Sequence, residues 1–272
     1  MPRRRSRNRR RASHRNSAII GSIVVALAGT VAFFMFTSEK NPLDQITLCP
    51  TQNEPKGTTA IILDMTDDLS SSQALALRSY VNSLGKVAAI SDEVKLEKGT
   101  KFVAYILTDT DKPKELISIC NPGTSEERDL LSEGKNLVEH RWQKFLITLD
   151  DAIGKVVTRK QDLPTSKIIE SLAYVRASMD FPPDNILRRD QKPYAIIVVS
   201  NLIENSNLAN HFSGLPPVED VWKSKPVTLS GINLHVLFVA DPRYQRLQNA
   251  SFKRWWRQYF SLTGANLTWD TL

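Results

Sequence analysis

Thr58-Thr59-Ala60-Ile61-Ile62-Leu63-Asp64 is an uninterrupted apolar run that stops at a carboxylate. A run of this length without alternation reads as a β-strand buried on both faces. Two more runs of the same kind follow, Tyr194 to Ser200 and Ile232 to Ala240. Between them the apolar period changes to that of helices. Ser70 to Leu84 places Leu77, Val81 and Leu84 on one face, with Asp68 and the adjacent serines as N-cap candidates. Glu126 to Arg159 carries Val138, Trp142, Phe145, Leu149, Ile153 and Val156 as one stripe. Ser166 to Met179 and Ser251 to Thr263 are further helices, the last stopped by Gly264. Lys101 to Leu107, Lys114 to Ile119 and Asn266 to Trp269 read as additional strands, Asn121-Pro122-Gly123 as a turn, and Asn205 to Pro226 as loop. Buried strands separated by helices predict an α/β domain over residues 58–272, with a doubly wound, mostly parallel sheet in a three-layer sandwich.

Upstream the chain changes character. Residues 1–17 hold eight arginines and no acidic residue, and residues 18–36 are nineteen residues without a charge. As a helix that run spans about 28 Å, close to the hydrocarbon thickness of a bilayer. Basic flanks stay on the cytoplasmic side. The expected layout is a basic cytoplasmic tail (1–17), one transmembrane helix acting as signal-anchor (18–36), a polar stalk (37–57) and an exported domain, periplasmic or extracellular. A cleaved signal peptide is the alternative, with Ala26-Leu27-Ala28 as a small-x-small site. Cleavage there would leave Val31 to Phe36 at a new N-terminus, which favours the anchor.

The tail also explains the charge balance. The chain has 36 Lys and Arg against 29 Asp and Glu. Without the eight tail arginines the remainder is close to neutral, so the exported domain has no basic excess for nucleic acid. Cys49 and Cys120 are the two cysteines. Outside the cytoplasm such a pair is expected to form a disulfide, tying the start of the domain to a sheet edge.

Ligands of doubly wound sheets bind beyond the carboxyl ends of the strands. There the chain reads Asp64-Met65-Thr66-Asp67-Asp68 followed by Ser70 to Ser72, then Ser200-Asn201, then Asp241-Pro242. Carboxylates and hydroxyls in this density suit a hard cation such as Mg²⁺. The same residue types cap helices and fill strand-to-helix loops. The four histidines are scattered, and no glycine-rich phosphate loop, Gly-x-Ser-x-Gly elbow or zinc motif is present. No residue is assigned a catalytic role.

These strand ends resemble the von Willebrand factor A family. That family opens with an apolar strand ending in Asp-x-Ser-x-Ser, the first part of a metal-ion-dependent adhesion site. Asp64, Thr66 and Asp68 stand at those three places. Ser166-Lys167-Ile168-Ile169-Glu170-Ser171-Leu172 resembles the helix that follows the family's metal-binding Thr, with Ser166 in the Thr position. Ser200-Asn201 stands where the family has Ser/Thr-Asp. The resemblance covers roughly Thr58 to Trp269, in order, with Asp68, Ser166 and Asn201 as departures. It implies a metal site at Asp64, Thr66, Asp68, Ser166 and Asn201 holding Mg²⁺, and a protein partner at the strand-end face. A rival resemblance is to haloacid-dehalogenase-type phosphatases, which use a strand-end Asp as nucleophile. Asp64 matches that place, but Thr66 stands where most members have their second Asp. The expected function is therefore a membrane-anchored protein-binding module of an envelope-associated assembly. An exported hydrolase using Asp64 and a structural anchor acting through its arginine tail are the alternatives.

Overall fold

The computed structural model describes residues 42–84, 94, 96–128, 133–158, 161, 163–179 and 194–272. The basic tail and the uncharged run at 18–36 lie outside the described residues. Among the described residues, no helix is long and apolar enough to cross a membrane. The chain divides into two units, and the α/β fold is built by the one comprising Asn41–Arg128 and Lys135–Leu272.

In chain order the elements are β1 (Thr58–Leu63), α1 (Ser71–Leu84), β2 (Lys101–Ile106), β3 (Lys114–Cys120), α2 (Lys135–Val157), α3 (Ile168–Ser178), β4 (Tyr194–Ser200), α4 (Val218–Ser224), β5 (Asn233–Phe238), α5 (Ala250–Thr263) and β6 (Asn266–Thr271). The strands form one six-stranded sheet in the order β3-β2-β1-β4-β5-β6. Every neighbouring pair is parallel except β2 and β3, so β3 is an antiparallel edge. The mostly parallel, doubly wound α/β expectation is met.

The reason lies in the strand sequences. β1 is apolar at every position from Ala60, so successive side chains feed two cores. Ala60 and Ile62 pack with α3, α4 and the aromatic face of α5. Ile61 and Leu63 pack with α1 and α2. All four are fully buried, each larger one contributing on the order of 1.5–3 kcal/mol of transfer free energy.

Several boundaries differ from the sequence expectation. The long helix begins at Lys135 rather than Glu126. Glu127 instead turns back on Thr124, its carboxylate accepting the Thr124 amide at 2.9 Å, which closes a local turn. Within Asn205 to Pro226 a short helix, α4, appears. Its buried contribution is only Val218 and Val221, too little to register as a helical period. Gly264 ends α5 in the left-handed region at φ 75°, and a side chain there would meet the Ser230 hydroxyl at 2.7 Å.

The polar segment before β1 is tied to the domain. Leu43 and Pro50 form an antiparallel bridge, Leu48 is buried, and the Cys120 amide donates to the Thr47 carbonyl at 2.8 Å. Cys49 and Cys120 form a disulfide, as expected from the sequence.

Candidate functional site

The sheet order reverses between β1 and β4, so the loops leaving these two strands diverge and open a crevice. Asp64 follows β1 directly, its amide still in the ladder to Val199 at 2.9 Å. The residue is buried, 5 % exposed, and its carboxylate is ringed by hydroxyls from three segments. Thr66 donates its hydroxyl to Oδ1 at 2.7 Å and its amide to the same oxygen at 3.2 Å. Ser200, the last residue of β4, donates to Oδ2 at 2.6 Å. Ser166, ahead of α3, donates to Oδ2 at 3.1 Å. Burial raises the Asp64 carboxyl above its ordinary range, opposed by the hydrogen bonds from Ser200, Thr66 and Ser166. No lysine or arginine bonds it among the described residues.

A second carboxylate lies beside the first but is held differently. Asp67 accepts from Asn201 Nδ2 at 2.8 Å and from Arg243 Nη2 at 2.9 Å. Tyr244 donates its hydroxyl to the same carboxylate at 3.4 Å. Arg243 grips Asp241 as well, with Nε 3.0 Å from both oxygens. That pairing holds the Asp241 carboxyl below its usual range despite burial. Gln248 closes the network by donating to the carbonyls of Asn201 and Val239 at 3.0 and 3.1 Å.

Of the five residues expected at a metal site, Asp64, Thr66 and Ser166 converge. Asn201 joins only through Asp67. Its amide oxygen accepts from Ile203 N at 2.9 Å and its amide nitrogen donates to Asp67. Asp68 is exposed and has no hydrogen bond to this cluster; Asp67 takes the inward place. Among the described residues, no three carboxylate, imidazole or thiolate groups gather for a metal. The donor set fits a hard cation only at the level of one buried carboxylate and its surrounding hydroxyls, an all-oxygen environment that a largely hydrated Mg²⁺ tolerates.

A cavity of about 410 Å³ opens over this cluster, floored by Thr66, Ser166 and Asn201 and walled by Ile203, Phe212 and Tyr244. Phe212 is 56 % exposed and packs edge-on against Tyr244 with ring centroids 5.8 Å apart. The loop that forms one wall is strained. Leu202 adopts φ 59°, an unusual conformation for a bulky residue. It is held there by its amide on Ser200 Oγ at 2.7 Å and by Trp256 Nε1 on its carbonyl at 2.8 Å.

Arg243, Tyr244 and Phe212 reach the site without any signal in the sequence. Asp241-Pro242 is expected at a strand end, and nothing local says that Arg243 reaches across to the β1 loop. His235 lies inside β5 with Nδ1 2.6 Å from Thr268 Oγ1, and its ring stacks on Tyr80 at 5.6 Å. No family model matches the chain, and no curated protein matches it in sequence.

Proposed function

We propose that this chain is a membrane-anchored, exported protein-binding module of von Willebrand A type that engages its partner at the strand-end face. The observation that carries the reading is the cavity at the switch point, with exposed Phe212 and half-buried Tyr244 on its wall. Aromatic side chains beside a concave site supply large contact area at low entropic cost and dominate many interfaces. The meeting of Asp64, Thr66 and Ser166 beyond the strand ends of a mostly parallel sheet supports the family reading. The arginine tail and the uncharged run after it support the anchor and the exported placement.

Mg²⁺ at Asp64, with Thr66 and Ser166 as neighbours, belongs to the same proposal; Asp68 and Asn201 are its weakest members. A hydrolase using Asp64 as nucleophile is disfavoured. Both oxygens already accept hydroxyl hydrogens, and the residue is 5 % exposed.

Site-specific photo-crosslinking in intact membranes tests the reading. A photoreactive residue at Phe212 should capture one defined protein, and one at Ile147, exposed on α2, should not. Equal labelling from both positions would count against a strand-end partner. A C-terminal reporter active only outside the cytoplasm tests the topology separately.

A further inference from the structure

The sheet has two edges, and they are built differently. β3, at one edge, carries Lys114 and Glu115 at its exposed start, and its register shifts against β2 between Ala104 and Tyr105. At its other end the Cys120 amide is taken by the Thr47 carbonyl at 2.8 Å. Lysine, irregular register and a covering segment are devices that keep an edge from pairing further. β6, at the other edge, has none of them among the described residues. It reads Asn266-Leu267-Thr268-Trp269-Asp270-Thr271, without lysine or proline, in unbroken parallel register with β5.

The register also fixes which backbone groups are open. Asn266 and Leu272 turn their amides to β5, donating to the Ile232 and Phe238 carbonyls at 3.1 and 3.0 Å. Alternate residues of a parallel strand bond to the same neighbour. The amides and carbonyls of Leu267, Trp269 and Thr271 therefore point away from the sheet, and no strand lies beyond them among the described residues.

The two faces beside this edge differ in charge. Leu267 and Trp269 pack on the α5 side. There the Arg257 guanidinium lies 5.0 Å from the Trp269 ring centroid. The Lys253 ammonium, one helical turn earlier, lies 4.7 Å from that of Phe238. A ring attracts a cation without neutralising it, and neither cation pairs with a carboxylate among the described residues. Arg257 is exposed, and Trp269 and Lys253 are half-buried. On the opposite face Thr268 and Asp270 stand beside His235, at 2.6 and 3.6 Å. The carboxylate of β6 is thus turned away from these cations.

We propose that β6 accepts an extended segment of a partner protein as a seventh strand, and that this segment is acidic on the face it shares with α5. Leu267, Trp269 and Thr271 supply the backbone hydrogen bonds, Trp269 an apolar contact, and Arg257 a planar fork for a carboxylate. Side chains of a strand alternate between faces. The expected pattern is an acidic residue at every second position, with no carboxylate at the positions between, where it would meet Asp270. A second copy of this chain fits less well. Antiparallel pairing of β6 with its copy puts both α5 helices on one face of a continuous sheet, turning Lys253 and Arg257 toward their own copies. The edge pairing does not depend on a partner at the strand-end face.

Hydrogen exchange on the full-length chain in lipid nanodiscs tests this with two probe peptides, one alternating Glu and Val and one alternating Lys and Val. The Glu peptide should slow exchange at the amides of Leu267, Trp269 and Thr271. Thr268 and Asp270, already bonded to β5, should be unchanged. The Lys peptide should give no protection at the same concentration. Arg257→Glu should weaken the Glu peptide by about fivefold, and added salt should weaken it in the wild type. Thr271→Pro removes one outward amide without touching the ladder to β5, and should also weaken it. Absence of protection at millimolar Glu peptide would overturn the proposal. So would equal protection by both peptides, or undiminished binding in Arg257→Glu or Thr271→Pro. A concentration-dependent dimer with the same three amides protected in the absence of peptide would assign the edge to a second copy and overturn it as well.

Discussion

Arg243 Nη2 lies 2.9 Å from Asp67 Oδ1 and joins residues 176 positions apart. The same guanidinium clasps Asp241, so one side chain neutralises two strand-end loops at once. Asp67 is thereby committed to the protein, while the buried Asp64 has no cationic partner among the described residues. The electrostatics of the face follow from that division.

Arg243→Ala should destabilise the domain by about 1–2 kcal/mol at neutral pH, because Asp241 is buried and loses its partner. Arg243 is half exposed, which keeps the figure low. Lys at 243 should recover only part of the loss, since it lacks the planar fork. The sign with pH is defined. Asp241 has a depressed folded pKa, so its contribution is present above the ordinary Asp range and disappears as pH falls through the folded value. Urea denaturation at neutral and acid pH should show the wild-type advantage shrinking in acid.

Asp64→Asn should leave stability unchanged or raise it in chelator, because it removes a buried unpaired charge. A carboxyl raised by burial contributes in the opposite sense to Asp241. Wild-type stability tied to Asp64 is intact below the ordinary Asp range and falls as pH rises through the folded value. If Mg²⁺ occupies the site, millimolar Mg²⁺ should raise the wild-type melting temperature and not that of the variant. A concentration of ten times Kd corresponds to about 1.4 kcal/mol. Identical melting curves with and without Mg²⁺ would leave a metal-free face.

Removing the disulfide by Cys49→Ser with Cys120→Ser should cost about 4 kcal/mol by chain-entropy reasoning, given the separation of 71 residues. Thermal denaturation of the double variant should match that of the reduced wild type. Thiol trapping of native protein should find neither cysteine free.

Trp256→Phe should cost about 1–3 kcal/mol, because it leaves the buried Leu202 carbonyl without its donor. The loss should be accompanied by faster amide exchange at Leu202 and Ile203, the segment that Trp256 holds in its left-handed turn. Unchanged exchange there would mean that the Ser200 hydroxyl alone maintains the turn.

The layers are legible in the order of residues alone. Continuous apolar runs at Thr58 to Leu63 and Tyr194 to Ser200 match β1 and β4 residue for residue, because a strand buried on both faces has no polar position to hide it. The α2 stripe and the Gly264 stop are legible for similarly local reasons, as are Asp64 at a strand end and Cys49 and Cys120 as a pair. The partners of the strand-end residues follow from no local pattern. The start of α3 is set by Glu204, 36 residues away. The inward carboxylate is Asp67 and not Asp68, because Arg243 and Asn201 reach it from other loops. Ser200 and Ser166 face Asp64 only once β1 and β4 lie side by side. Backbone periodicity is a property of neighbouring residues, whereas a charge or hydroxyl acquires its partner only when the sheet brings distant loops to one end.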